Sequence, residues 1–103
     1  MATTKDYIDF CLEQLPSRYD VRYRKMFGEY VIYLNGKPAF LVCDNTVFVK
    51  KLQELAPLLE NASEGYPYDG AKIHYVLDVE DRELTEQVAE IVEKVIPVPK
   101  RKK

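Results

Sequence analysis

Residues 22–50 read RYRKMFGEYVIYLNGKPAFLVCDNTVFVK, and most of the predicted sheet lies in this stretch. It consists of short apolar runs separated by Gly28, by Asn35-Gly36 and by Asp44-Asn45, residues typical of bends and turns. Asn35-Gly36 is the strongest hairpin signal, because both of its residues tolerate a positive φ. The pattern therefore predicts consecutive strands over residues 21–26, 29–34, 37–43 and 46–49.

The first of these strands is weakly patterned and rich in charge. Its side chains alternate, with Val21, Tyr23 and Lys25 on one side. Arg22, Arg24 and Met26 then lie on the other side. Charge discourages an edge strand from pairing with a second chain, so residues 21–26 are predicted to form an edge of the sheet.

Helical patterns flank the strands. The first helix is predicted to begin at Thr3, with Asp6 completing a capping box, and to end before Pro16. The last helix is predicted to begin at or beside Asp81 and to end before Pro97, with a continuous apolar stripe between them.

The segment between these helices is less regular. Leucines at helical spacing predict a helix over residues 51–60, although Pro57 weakens it. Residues 61–71 read as a loop with room for a brief extended pairing around residues 66–68, and residues 72–77 alternate as a further strand.

These elements predict an α+β fold. An antiparallel sheet of about five strands packs with three helices, in the order α-β-β-β-β-α-β-α. We expect one domain over residues 1–97 and a flexible basic tail over residues 98–103, which read VPKRKK.

Composition limits the class of protein. With 103 residues, 47% of them hydrophobic, the chain can bury one core without metal or disulfide staples. It has no apolar run long enough for a bilayer and no basic region followed by an apolar stretch at its start, so we expect a cytoplasmic protein without membrane contact. Cys11 and Cys43 are then expected to act as small buried hydrophobes.

No catalytic or metal-binding pattern stands out. The single histidine, His74, has no neighbouring ligand set. Cys11 formally makes a Cys/His pair with it for nucleophilic chemistry, but Cys11 is predicted to lie buried in a helix, where a thiol is inert. The four glycines are scattered and form no phosphate-binding loop. We therefore expect no enzyme activity, no cofactor and no metal.

Two features indicate surfaces for a partner. Cations and aromatics alternate near the first strand, as in proteins that bind phosphate backbones and stack on bases, although a charge-protected edge strand explains the same pattern. A second group consists of tyrosines flanking Pro67, where packing of the loop on the sheet is the alternative. The candidate contact residues are Arg18, Arg22, Tyr23, Arg24, Lys25, Tyr66 and Tyr68.

The chain also resembles a known family. The string KMFGEY at residues 25–30, then Tyr33, GKP at residues 36–38 and PYDGAK at residues 67–72, is similar to the TfoX/Sxy N-terminal domain family over nearly the whole length. The resemblance implies an α+β domain like the secretion-chaperone fold and supplies no catalytic residues. Lys25, Met26, Phe27 and Gly28 are then expected to define the fold, with Phe27 packing and Gly28 permitting a bend.

The resemblance also bears on function. Full-length members regulate natural competence, are connected with the cyclic-AMP receptor protein at certain promoters, and carry a helical C-terminal domain that this chain is expected to lack. We therefore predict a protein-binding or regulatory module whose partner belongs to the transcription machinery. The alternative is direct nucleic-acid binding through Arg18, Arg22, Arg24, Lys25 and the basic tail. The sequence leaves homodimer formation open.

Overall fold

The computed structural model describes residues 3–26 and 29–96. The expectations for Phe27, Gly28 and the basic tail lie outside the described residues. In chain order the elements are α1 (Lys5–Gln14), β1 (Val21–Met26), β2 (Glu29–Leu34), β3 (Lys37–Cys43), β4 (Thr46–Lys50), a 3₁₀ turn (Gln53–Leu55), α2 (Ala56–Leu59), β5 (Glu64–Gly65), β6 (His74–Leu77) and α3 (Arg82–Val95).

The strands form an antiparallel sheet in the order β1-β2-β3-β4-β6-β5. The predicted α+β class is confirmed, with six strands in the described residues where about five were expected. The additional strand is β5, in which Glu64 pairs with Tyr75 and Gly65 with His74. The brief pairing expected around residues 66–68 therefore occurs at residues 64–65.

Turn chemistry sets the two central hairpins. Asn35 and Gly36 have φ values of 52° and 83°, the left-handed geometry that a two-residue hairpin turn requires. Asp44 and Asn45 adopt φ values of 52° and 54° between β3 and β4, where no glycine is present. Short polar side chains tolerate this region better than other non-glycine residues do, which explains why both hairpins close with two-residue turns.

The helix at the start of the chain begins one residue later than predicted. Thr4 is its cap and accepts a hydrogen bond from the backbone N–H of Tyr7 at 3.2 Å. Thr3 is buried instead, and its hydroxyl donates to Glu29 Oε1 at 2.8 Å and accepts from the Asn45 N–H at 3.2 Å. These long-range bonds use the Thr3 hydroxyl, so it is not available to cap the helix.

The middle helix is shorter than predicted. A 3₁₀ turn precedes α2, which covers four residues, and Pro57 lies in its first turn, where the missing N–H costs nothing. The last helix begins as predicted, because Asp81 caps α3 by accepting from the Leu84 N–H at 3.1 Å.

One face of the sheet meets the helices. Ile32, Val42 and Val49 point from this inner face into a core that also contains Ile8 of α1 and Val88 of α3. Leu55 and Leu59, from the 3₁₀ turn and α2, complete the same core. The opposite face, which we call the outer face, carries the alternate residues of every strand.

Candidate protein-binding surface

An apolar row crosses the outer face. Val31, Leu41, Phe48 and Val76 lie directly opposite one another on β2, β3, β4 and β6, and Arg24 of β1 extends the row to the edge of the sheet. Val31, Leu41 and Val76 are half-buried, and Phe48 is buried although it is not part of the core under the helices. The outer face therefore presents apolar side chains across the middle of the sheet.

The segment after β5 lies over part of this row. Pro67 is buried, and together with Tyr68 it lines a groove with Met26, Val31 and Leu41. The loop packs back on the sheet through Pro67, whereas the flanking Tyr66 and Tyr68 remain exposed. The groove remains open between the loop and β1, so the loop covers the row incompletely.

Two exposed side chains line this groove. Met26 is 40% exposed and Tyr68 is 61% exposed. Tyr66, on the other side of the buried Pro67, is 65% exposed. Tyrosine and methionine are enriched where proteins meet, tyrosine because it combines a large apolar body with a polar tip and methionine because it is flexible. Contact of Tyr66 and Tyr68 with a partner remains a prediction, and Tyr68 is well placed for it.

β1 lies at the edge of the sheet, as predicted. Five of its six residues are exposed. Its register with β2 puts Arg22 opposite Tyr33 and Arg24 opposite Val31, so both arginines belong to the outer face. Tyr23 lies opposite Ile32 and therefore belongs to the inner face.

The cations and aromatics that alternate in the sequence do not form one patch. Tyr23 packs against Tyr30, with ring centroids 5.6 Å apart. Lys5 Nζ lies 5.8 Å from the ring centroid of Tyr23. Arg18 lies 4.8 Å from the ring centroid of its neighbour Tyr19. The pleat of β1 separates Tyr23 and Lys25 from Arg22 and Arg24, since neighbouring side chains of a strand point to opposite faces.

The cysteines are inert. Both are free and buried, Cys11 in α1 and Cys43 beside the groove. Burial raises the pKa of each thiol to about 11, and at Cys43 the nearby carboxylates of Glu29 and Asp44 add to the effect. Both thiols are therefore protonated at neutral pH and are poor nucleophiles.

The residues considered for catalysis do not converge. His74 Nδ1–H donates a hydrogen bond to the backbone oxygen of Lys72, 2.7 Å away. His74 lies on the outer face, whereas Cys11 is in the core under the sheet. Among residues 3–26 and 29–96, no three His, Cys, Asp or Glu side chains are grouped to hold a metal ion. Of the helices in the same residues, none combines the length and apolar character that a membrane crossing requires.

Sequence reasoning missed the apolar row. A signal for it was present, because the runs YVIYL, AFLVC and TVFV are apolar at nearly every position and not at alternate positions. Such strands bury both faces, yet the helices of a short chain can cover only one. The second face of these strands is therefore unusually apolar for a face that carries no helix.

Comparisons with known proteins agree with the resemblance seen in the sequence. The family model described as TfoX N-terminal domain matches residues 13–96. A protein of Spirochaeta aurantia, described as "Uncharacterized 12.7 kDa protein in trpE 5'region", is 34% identical over 105 residues, which cover 100% of this chain and 91% of that protein. No solved structure matches the chain.

Proposed function

The chain belongs to the TfoX N-terminal domain family, and from this premise we propose that it is a protein-binding module that regulates its partner by direct contact. The observation that carries the proposal is the apolar row on the outer face. Half-buried Val31 and Leu41 lie beside exposed Met26 and Tyr68, and apolar, methionine and tyrosine side chains together are typical of the core of a protein interface. The resemblance to competence regulators supports a partner that acts in transcription.

Direct nucleic-acid binding is less well supported. It needs cations and stacking aromatics on one surface, and the pleat of β1 assigns Arg24 and Tyr23 to opposite faces. Arg18 is already stacked on Tyr19, and Arg22 pairs with Asp20 at 3.2 Å. The experiment below therefore has to distinguish binding of nucleic acid from binding of protein.

Site-specific cross-linking tests the proposal. A photo-reactive amino acid replaces Tyr68 in one variant and Gln87, an exposed residue of α3, in a matched control. Both variants are irradiated in lysate of the source organism, with and without nuclease. We expect a protein adduct that survives nuclease from position 68 and none from position 87, because the proposed surface lies on the face away from the helices.

Two outcomes would overturn the proposal. Equal protein adducts from both positions would mean that the outer face has no special affinity for proteins. Adducts that contain nucleic acid and disappear with nuclease would favour the second interpretation instead.

A further inference from the structure

β1 is an edge strand of the sheet. β1 pairs with β2 along all six of its residues, and within residues 3–26 and 29–96 no strand lies on its other side. Half of the backbone N–H and C=O groups of such a strand point away from its neighbour and can pair with a further strand. β1 contains no proline that would block this pairing.

The edge strand β1 carries positive charge that is available to a partner. Arg24 and Lys25 are exposed and make no ion pair or side-chain hydrogen bond within the described part of the chain. Arg22 pairs with Asp20, but the two side chains are 77% and 59% exposed, so the pair adds little stability and can exchange. The edge thus offers three cations in a run of four residues.

A second copy of the chain does not fit this edge. Pairing of two β1 strands about a two-fold axis would bring the arginines and the lysine of both copies opposite or beside one another, and like charges at cross-strand positions are destabilising. An acidic strand would instead place each carboxylate near a cation. Charge complementarity therefore favours an acidic segment over a second copy.

We propose, building on the protein-binding function argued above, that β1 accepts an extended acidic segment of a partner protein as an added strand. Backbone hydrogen bonds to the free edge hold the segment, and Arg22 and Arg24 select its charge. Both arginines project on the outer face, so the acidic residues of the segment lie at alternate positions on that face.

The groove beside β1 completes the recognition pattern. Met26 follows Arg22 and Arg24 on the outer face and borders the groove together with Val31 and Tyr68. An apolar residue two positions from the acid that faces Arg24 would lie against Met26 at the border of this groove. The segment then reads acid-x-acid-x-apolar if it runs parallel to β1, and apolar-x-acid-x-acid if it runs antiparallel.

Synthetic peptides test the proposal. The probe is a short fluorescent peptide with glutamates and a leucine in this pattern and threonine at the spacer positions, made in both orders. Binding to the full chain is measured by fluorescence anisotropy. We expect one order to bind, a version with glutamine for glutamate to bind about ten-fold more weakly, and a version with proline at the spacers not to bind.

Charge reversal localises the interaction. Arg24→Glu is expected to lower the affinity for the acidic peptide by about ten-fold or more. The same variant is expected to bind a peptide with lysine in place of glutamate more tightly than the acidic peptide. The matched control is Lys50→Glu, which makes the same charge change on the outer face of β4, about 14 Å from β1. This control should leave binding unchanged, and circular dichroism verifies that both variants are folded.

Hydrogen exchange is an independent measurement of strand addition at β1. The backbone amides of β1 that face away from β2 should exchange more slowly when the acidic peptide is present. Equal binding of the glutamine or proline version, or an Arg24→Glu variant that keeps its affinity, would overturn the proposal. So would a concentration-dependent dimer that protects β1, or a single-stranded oligonucleotide that binds where the peptide does not.

Failure here is distinct from failure of the proposed function. The adduct at position 68 can form with a partner that does not pair with β1, and in that case the protein-binding function stands while the acidic strand is rejected.

Discussion

Ile32→Ala is expected to lower the free energy of unfolding by about 3 to 4 kcal/mol, since it removes three carbons from a fully packed site and leaves a cavity. Ile32 is 1% exposed and lies on the inner face of β2, under the helices. For a domain of this size the loss corresponds to a fall in melting temperature of about 15 to 25 °C. Urea denaturation followed by circular dichroism measures it.

The neighbouring residue provides the matched control. Val31 precedes Ile32 in the same strand but lies half-buried on the outer face, so Val31→Ala should cost about 1 kcal/mol or less. Ile32→Val, expected to cost about 1 kcal/mol, keeps the comparison measurable if the alanine variant unfolds. Equal losses for Val31→Ala and Ile32→Ala would contradict the assignment of the helices to one face.

Asn35→Ala is expected to destabilise the protein by about 2 to 3 kcal/mol, because Asn35 combines a strained backbone with two side-chain hydrogen bonds. Its φ is 52°, and its Oδ1 accepts from the Asp20 N–H at 2.8 Å. Its Nδ2 donates to Glu93 Oε2 at 3.2 Å, which connects the hairpin turn to α3. Denaturant unfolding of the variant gives the loss.

Asn35→Gly separates the two contributions. Glycine tolerates the positive φ but makes neither side-chain bond, so this variant should lose less stability than Asn35→Ala. Identical losses would mean that the backbone geometry contributes nothing.

The pH dependence of the free energy of unfolding reports on the hydrogen bond from Asn35 to Glu93. The hydrogen bond from Asn35, followed by that from Lys37, lowers the pKa of Glu93 below its ordinary value of 4.5. A lowered pKa means that the ionised carboxylate stabilises the fold above its unfolded pKa, and that this stability is lost as pH falls through the folded pKa. Asn35→Gly should therefore flatten the acid limb of the stability profile.

Turn chemistry made the sheet predictable. The bounds of β2 and β3 were predicted correctly because Asn35-Gly36 and Asp44-Asn45 fix where each strand must stop. The cap of α1 was wrong by one residue because Thr3 is held by Glu29 and Asn45, contacts that span 26 and 42 positions and leave no local pattern. α2 was predicted too long because leucine spacing outweighed Pro57.

The candidate surface was predictable only in part. Strand alternation correctly separated Arg22 and Arg24 from Tyr23, but it did not say which side the helices would cover. Which side the helices cover depends on tertiary packing. The exposure of the row through Val31 and Leu41 depends on the same packing. The position of Tyr68 beside Met26 depends on the path of an irregular loop, which no periodicity describes.

Binding of a protein at the outer face is tested by cross-linking in two variant backgrounds. The photo-reactive residue at position 68 is combined with Leu41→Glu, which puts a charge in the middle of the apolar row while leaving the core under the helices unchanged. Lys94→Glu on α3, which disrupts an exposed pair with Glu90, is the control background. We predict that the protein adduct disappears with Leu41→Glu and persists with Lys94→Glu, both variants remaining folded by circular dichroism; an adduct of undiminished yield in the Leu41→Glu background would contradict the account.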